Sequence, residues 1–214
     1  MESANASHKS PATARAVQFV AITLAVIGSR ALDILTTLNA TPDLSRETNP
    51  LHRVLGLGWR PLLLVNAVIV LILIVAAWRA GFGRPVPLPD EPGLDYESFI
   101  GRFWLGRPTR CSPSRAALWL PAPSSLRWSF IGGPLARLVV VASMVIAVWN
   151  TWAARPEAAT VDRRLLPIAT VLFWLAIAVA IWWLVRRFLA SAYAQYRRQS
   201  SSRITPPRRS ETPA

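Results

Sequence analysis

The chain has 214 residues, 52% of them hydrophobic and 16% charged. That balance excludes a disordered chain and is too apolar for an ordinary soluble domain. The formal net charge is +13, and every basic residue except Lys9 is an arginine. No zinc-ligand spacing or RNA-binding sheet motif accompanies this charge, so nucleic acid is not an expected partner. A membrane protein that concentrates arginine in its cytoplasmic loops accounts for it better. Cys111 is the only cysteine, so no intramolecular disulfide can form, and two His and two Met give little material for a metal cluster. No cofactor is expected.

Taken in chain order, the apolar residues collect in four blocks. Each has the roughly twenty residues that a helix needs to cross about 30 Å of hydrocarbon. A basic N-terminal tail over residues 1–15 precedes the first span, which is expected from about Ala16 to Ala40. The tail and the apolar stretch to Gly28 resemble a signal peptide. Arg30 and Asp33 interrupt the segment, however, and Leu38-Asn39-Ala40 is a poor cleavage site, so an uncleaved helix is expected. The second span runs from Pro61 to about Trp78, the third from near Pro134 to near Ala154, and the fourth from Leu165 to about Val185. The second and fourth contain no charge, and backbone groups in lipid must be paired internally, so these segments are helices. The expected fold is an all-α membrane bundle of about four spans. It is arranged as two hairpins over 16–80 and 134–186, with a loop over 81–133 and a tail over 187–214.

Counting arginine and lysine gives the orientation. The N-tail, the long loop and the C-tail together carry sixteen, and the two short loops carry six. The positive-inside rule then places both termini and the long loop in the cytoplasm, in a plasma-membrane protein. Tryptophans mark the span ends: Trp59, Trp149 and Trp152 on the outer side, Trp78, Trp182 and Trp183 on the inner. Within the long loop, residues 84–93 alternate Pro with other residues and read as a poorly ordered linker. The following "YESFIGRFWLG" spaces Tyr96, Phe99, Ile100, Phe103 and Trp104 as on a helix. It reads either as a helix lying on the membrane surface or as irregular loop covering the bundle end. Past the fourth span, "RRFLASAYAQYRRQ" continues as helix and brings basic groups near anionic headgroups. The last dozen residues read as a disordered tail.

The informative polar residues lie between Arg30 and His52. Charges inside a span are costly unless paired or facing an aqueous cavity. Arg30 and Asp33 are three residues apart, so they share a helix face and can pair. Ala21, Ala25, Ser29, Asp33 and Thr37 form a winding stripe of small and polar residues that lets a neighbouring helix approach. Just beyond the membrane, Glu47, Asn49, Pro50 and His52 follow, and Glu47 and Asn49 can fold back over Arg30, Asp33 or Thr37. Asn66 and Asn150 are single polar groups in spans, the kind that make interhelical hydrogen bonds, and Arg137 can snorkel to the interface.

Asp33-x-x-x-Thr37, about ten residues, then Glu47-x-Asn49-Pro50 and a clean apolar helix resembles a family of small prokaryotic polytopic membrane proteins of unknown function. The resemblance covers about residues 17–80. It implies no activity, but it implies that Asp33, Thr37, Glu47, Asn49 and Pro50 act as one unit.

Three functions compete. The first is a non-enzymatic membrane protein acting through helix, partner or lipid contacts, since no nucleophile–base pair, phosphate loop or metal motif is recognisable. It includes a possible homo-oligomer or membrane partner. The second is a small transporter or proton/cation-translocating subunit using Arg30 and Asp33, with Asn66, Ser143 and Asn150 as its thin supply of facing polar groups. The third is an intramembrane enzyme using Asp33, Glu47 and His52, for which no second carboxylate or cysteine lies in the other spans.

Overall fold

The computed structural model describes residues 11–43, 56, 58–155 and 165–204. Among them the chain is helical, with no strand. Four helices are long and apolar enough to cross a bilayer. The protein is therefore a multi-pass, all-α membrane protein, the fold class its composition implies.

The helices are α1 (Pro11–Ala40), α2 (Trp59–Phe82), α3 (Tyr96–Leu105), α4 (Pro113–Ala116), α5 (Ser124–Phe130), α6 (Ala136–Ala153) and α7 (Leu165–Ile204). A π-helical turn, Ile131–Leu135, joins α5 to α6 without a break. The continuous helix that carries the third span thus begins before Pro134, near which the sequence places the start of the span. Pro134 has no N–H to donate and its ring crowds the preceding turn; a widened turn accommodates both without ending the helix. The described residues divide between two compact units, one within Met1–Arg84 and Trp128–Ile181, the other within Pro85–Arg127 and Trp182–Ala214.

In the first unit α1 packs on both α2 and α6, and α2 packs on the π-helical turn. Val26, Leu73 and Ala136 are its buried apolar centre, surrounded by Ile22, Val70, Ile131, Val139 and Val140. Gly132 lets α2 come very close: a Cβ placed there would lie 2.2 Å from the Ala76 carbonyl oxygen. Close backbone approach of this kind is how helices associate in lipid, where tails are as apolar as the side chains they replace. The packed face of α1 differs from the stripe read in the sequence. Ala21 and Ala25 are exposed, while Val26, Ser29 and Asp33 are buried. A helix has 3.6 residues per turn, so a strict spacing of four drifts off the interface. Steps of four and three through Ile22, Val26, Ser29 and Asp33 stay on it.

The second unit is built from the long loop and the second half of α7. α7 has 40 residues, and at about 1.5 Å each it is about twice as long as the hydrocarbon is thick. Its second half carries Val185, Leu189 and Tyr196 on a buried face. α3 is a helix, but its apolar face is not free to lie on lipid: Phe99, Ile100 and Trp104 are fully buried. Phe99 meets Tyr193 at 5.3 Å and Tyr196 at 5.2 Å between ring centroids, and Trp104 meets Phe188 at 6.1 Å. Aromatic rings bury large apolar areas, and these pair at favoured separations. The linker over 84–93 has no regular structure, yet its end is pinned. The Tyr196 hydroxyl donates to the Glu91 carbonyl and accepts from the Leu94 N–H, and Arg102 pairs with Glu91 at 2.8 Å. Residues 205–214, most of the tail expected to be disordered, lie outside the described residues.

Asp95 caps α3 by accepting from the Ser98 N–H at 2.8 Å, and Gly106 ends it in the left-handed region, at φ 66°, that favours glycine. The Ser98 N–H and the Ser98 hydroxyl hold the Asp95 carboxyl below its ordinary value against the opposing effect of desolvation, and Arg110 adds to the lowering.

Candidate functional site

The candidate site is a polar network inside the first unit, and α1 supplies its charges. Arg30 and Asp33 stand one turn apart and pair at 2.8 Å, with side chains 17% and 11% exposed. The same guanidinium nitrogen, Nη1, donates to the Ser143 hydroxyl of α6 at 3.0 Å. The other, Nη2, donates to the Asn66 Oδ1 of α2. One side chain therefore touches acceptors on three helices. Arg30 Nε is buried with no hydrogen-bond partner among the described residues.

Each acceptor is itself positioned. Asn66 donates its Nδ2 to the Leu62 carbonyl one turn back, which turns its oxygen toward Arg30. Ser143 is almost wholly buried. One turn beyond Asp33, Thr37 donates to the Asp33 carbonyl at 2.8 Å and accepts from Asn150 Nδ2 of α6 at 2.8 Å. At the end of the hairpin, Trp59 Nε1 donates to the Pro42 carbonyl at 2.8 Å. The network thus runs along α1 from Arg30 to Thr37 and ties α1 to α6 at two levels and to α2 at one.

The structure brings together Arg30, Asp33 and Thr37. Glu47, Asn49, Pro50 and His52 lie outside the described residues. Asn66, Ser143 and Asn150, which the sequence offers as isolated polar groups, are the partners on facing helices. The signal that marks them is the same for all three: one hydrogen-bonding side chain in an otherwise apolar run, which must find a partner within the bundle. Arg137 is exposed and takes no part.

Chemically, the arrangement suits positioning more than reaction. Asp33, a carboxylate buried in the described bundle, is engaged by an arginine of its own helix at the packed interface, where it is 8% exposed. The arginine is in turn shared with two neutral acceptors. Such sharing compensates part of the desolvation of a buried charge through hydrogen bonds, which a bare ion pair in a low-dielectric site does not achieve. No family model, curated protein or solved structure matches the chain.

Proposed function

We propose that this chain is a non-enzymatic integral protein of the plasma membrane that acts through helix, partner or lipid contacts. In this reading the Arg30 network locks α1, α2 and α6, and both termini and the second unit face the cytoplasm. The observation that carries it is the guanidinium of Arg30, which reaches Asp33, Ser143 and Asn66 on three helices at once. A group committed in this way holds helices in register. Orientation rests on the split of basic residues, sixteen against six. Basic residues just past the apolar part of α7, Arg186, Arg187, Arg197 and Arg198, suit anionic headgroups, at about 1 kcal/mol for each residue near the surface. The resemblance over residues 17–80 fits the same reading, with Glu47, Asn49 and Pro50 completing a unit with Asp33 and Thr37.

Two experiments test it. Reporter fusions after residues 56 and 159 should report the outside, and one near residue 95 the inside; the opposite pattern defeats the orientation. Asp33→Asn keeps the shape and removes the charge. A locking role predicts less folded protein in the membrane and a phenotype that follows abundance. Normal abundance with complete loss of the phenotype of a deletion strain would instead establish Arg30 and Asp33 as the working site of a transporter or proton-translocating subunit.

A further inference from the structure

Three consecutive large apolar side chains on the second unit point outward: Leu118 is 80% exposed, Trp119 63% and Leu120 63%. Runs of this kind are not left facing water without a use. Nor is the segment loose. The Leu118 and Trp119 N–H groups donate to the Arg115 and Ala116 carbonyls at 3.2 and 3.1 Å. The Trp119 carbonyl accepts from the buried Trp104 Nε1 at 3.0 Å. The Ala122 N–H donates to the Trp104 carbonyl at 2.8 Å, and Arg127 holds the Pro121 carbonyl at 3.1 Å. The backbone is pinned on the unit's own core, and the side chains project.

Two further observations say what they project into. Trp182 Nε1 lies 3.4 Å from the Ser114 hydroxyl, one turn before Leu118. Trp182 and Trp183 close the apolar run of α7, and Arg186 and Arg187 stack over their rings at 4.7 and 5.1 Å. That sequence of groups along a spanning helix belongs at the headgroup level of a leaflet. Ser114, one turn before Leu118, is therefore at the same depth. Beside it, Trp119 and Leu120 line a cavity of about 440 Å³ together with Arg107, Arg110 and Arg115. Arg110 is committed to Asp95 at 2.9 Å and Glu97 at 3.6 Å. Arg107 and Arg115 are exposed and join no ion pair among the described residues.

We infer that Leu118, Trp119 and Leu120 insert into the leaflet at the arginine-rich end of α7, and that Arg107 and Arg115 bind the phosphate of an anionic phospholipid there. Wedge and cations act together: the side chains enter the acyl region while the guanidinium groups meet the headgroup. The inference rests on the membrane reading of α7.

The test uses the full-length protein in vesicles of phosphatidylcholine, alone or mixed with phosphatidylglycerol. Leu118→Cys and, separately, Leu172→Cys carry an environment-sensitive fluorophore. The parent protein gives the background, which is low because Cys111 is buried and burial holds its thiol above the ordinary value. Quenching is read with spin-labelled phosphatidylglycerol, spin-labelled phosphatidylcholine and aqueous iodide. The probe at 118 should be quenched by lipid and shielded from iodide. Labelled phosphatidylglycerol should win over phosphatidylcholine, and Arg107→Gln or Arg115→Gln should each cut that preference about fivefold. Added inorganic phosphate should leave it in place; its loss to phosphate would reveal a soluble anion site and defeat the lipid assignment. Lipid quenching at 172 with open iodide access at 118 overturns the inference, and so does equal quenching at 118 by the two lipids. No lipid quenching at 172 defeats the membrane reading itself.

Discussion

The two units bury different chemistry. The span unit has a small apolar centre, Val26, Leu73 and Ala136, and its specific contacts are a glycine against a backbone and a set of polar bonds around Arg30. The second unit is held by rings: Phe99, Phe103, Trp104, Phe188, Tyr193 and Tyr196. In the proposed orientation the second unit lies in water, and the solvent then explains the contrast. In water, burying a large apolar side chain contributes about 1.5–3 kcal/mol, so aromatic faces suffice. Lipid tails give no such return, so close approach and polar bonds must choose one helix arrangement among many. A polar residue is thus a defect in one unit's core and the fastening in the other's.

The largest effect is expected at Trp104, which is fully buried and donates to the Ala116 and Trp119 carbonyls. Trp104→Ala should destabilise the second unit by about 3–5 kcal/mol. Hydrogen exchange across 96–105 and 188–196 should accelerate while α1, α2 and α6 keep their protection. Equal acceleration in both units would mean they fold as one. A smaller effect is expected at Gly132, where a side chain must displace the Ala76 backbone. Gly132→Val should cost about 1–3 kcal/mol by overpacking and lower the unfolding midpoint in bicelles, without touching exchange in α3. The smallest effect distinguishes the units by pH. Because the Asp95 carboxyl is held below its ordinary 3.8, its contribution to α3 is present above that pH and fades as pH falls below it. Exchange over 96–105, corrected for intrinsic rates, should rise in acid, and Asp95→Asn should flatten that rise.

Much of the span unit is legible in the sequence. Four apolar runs of spanning length leave no other architecture, and Arg30 and Asp33 stand out as charges where charge is costly. The partners of Arg30 were visible only as single residues, because an asparagine or serine in an apolar helix does not say which neighbour it faces. The second unit was hidden more thoroughly. Its prolines and arginines read as linker and tail, and the two halves of its aromatic core, around Phe99 and Tyr193, lie far apart in the chain. Periodicity left α3 open between a surface helix and irregular loop, and the face it buries depends on a partner almost a hundred residues later. Leu118, Trp119 and Leu120 show the converse: large apolar residues that remain outside the core.

If Arg30 and Asp33 fasten helices, as proposed, a double-mutant cycle shows it directly. Arg30→Met and Asp33→Leu, alone and together, are compared by reversible unfolding in bicelles. Each single substitution removes one charge of the pair and leaves the other buried without that countercharge, which commonly costs about 3–5 kcal/mol. The double substitution should be less destabilising than the sum of the two, and about as stable as the less affected single variant or better. Additive effects, or single variants as stable as the parent, would contradict the account and place these two charges outside the forces that hold the bundle together.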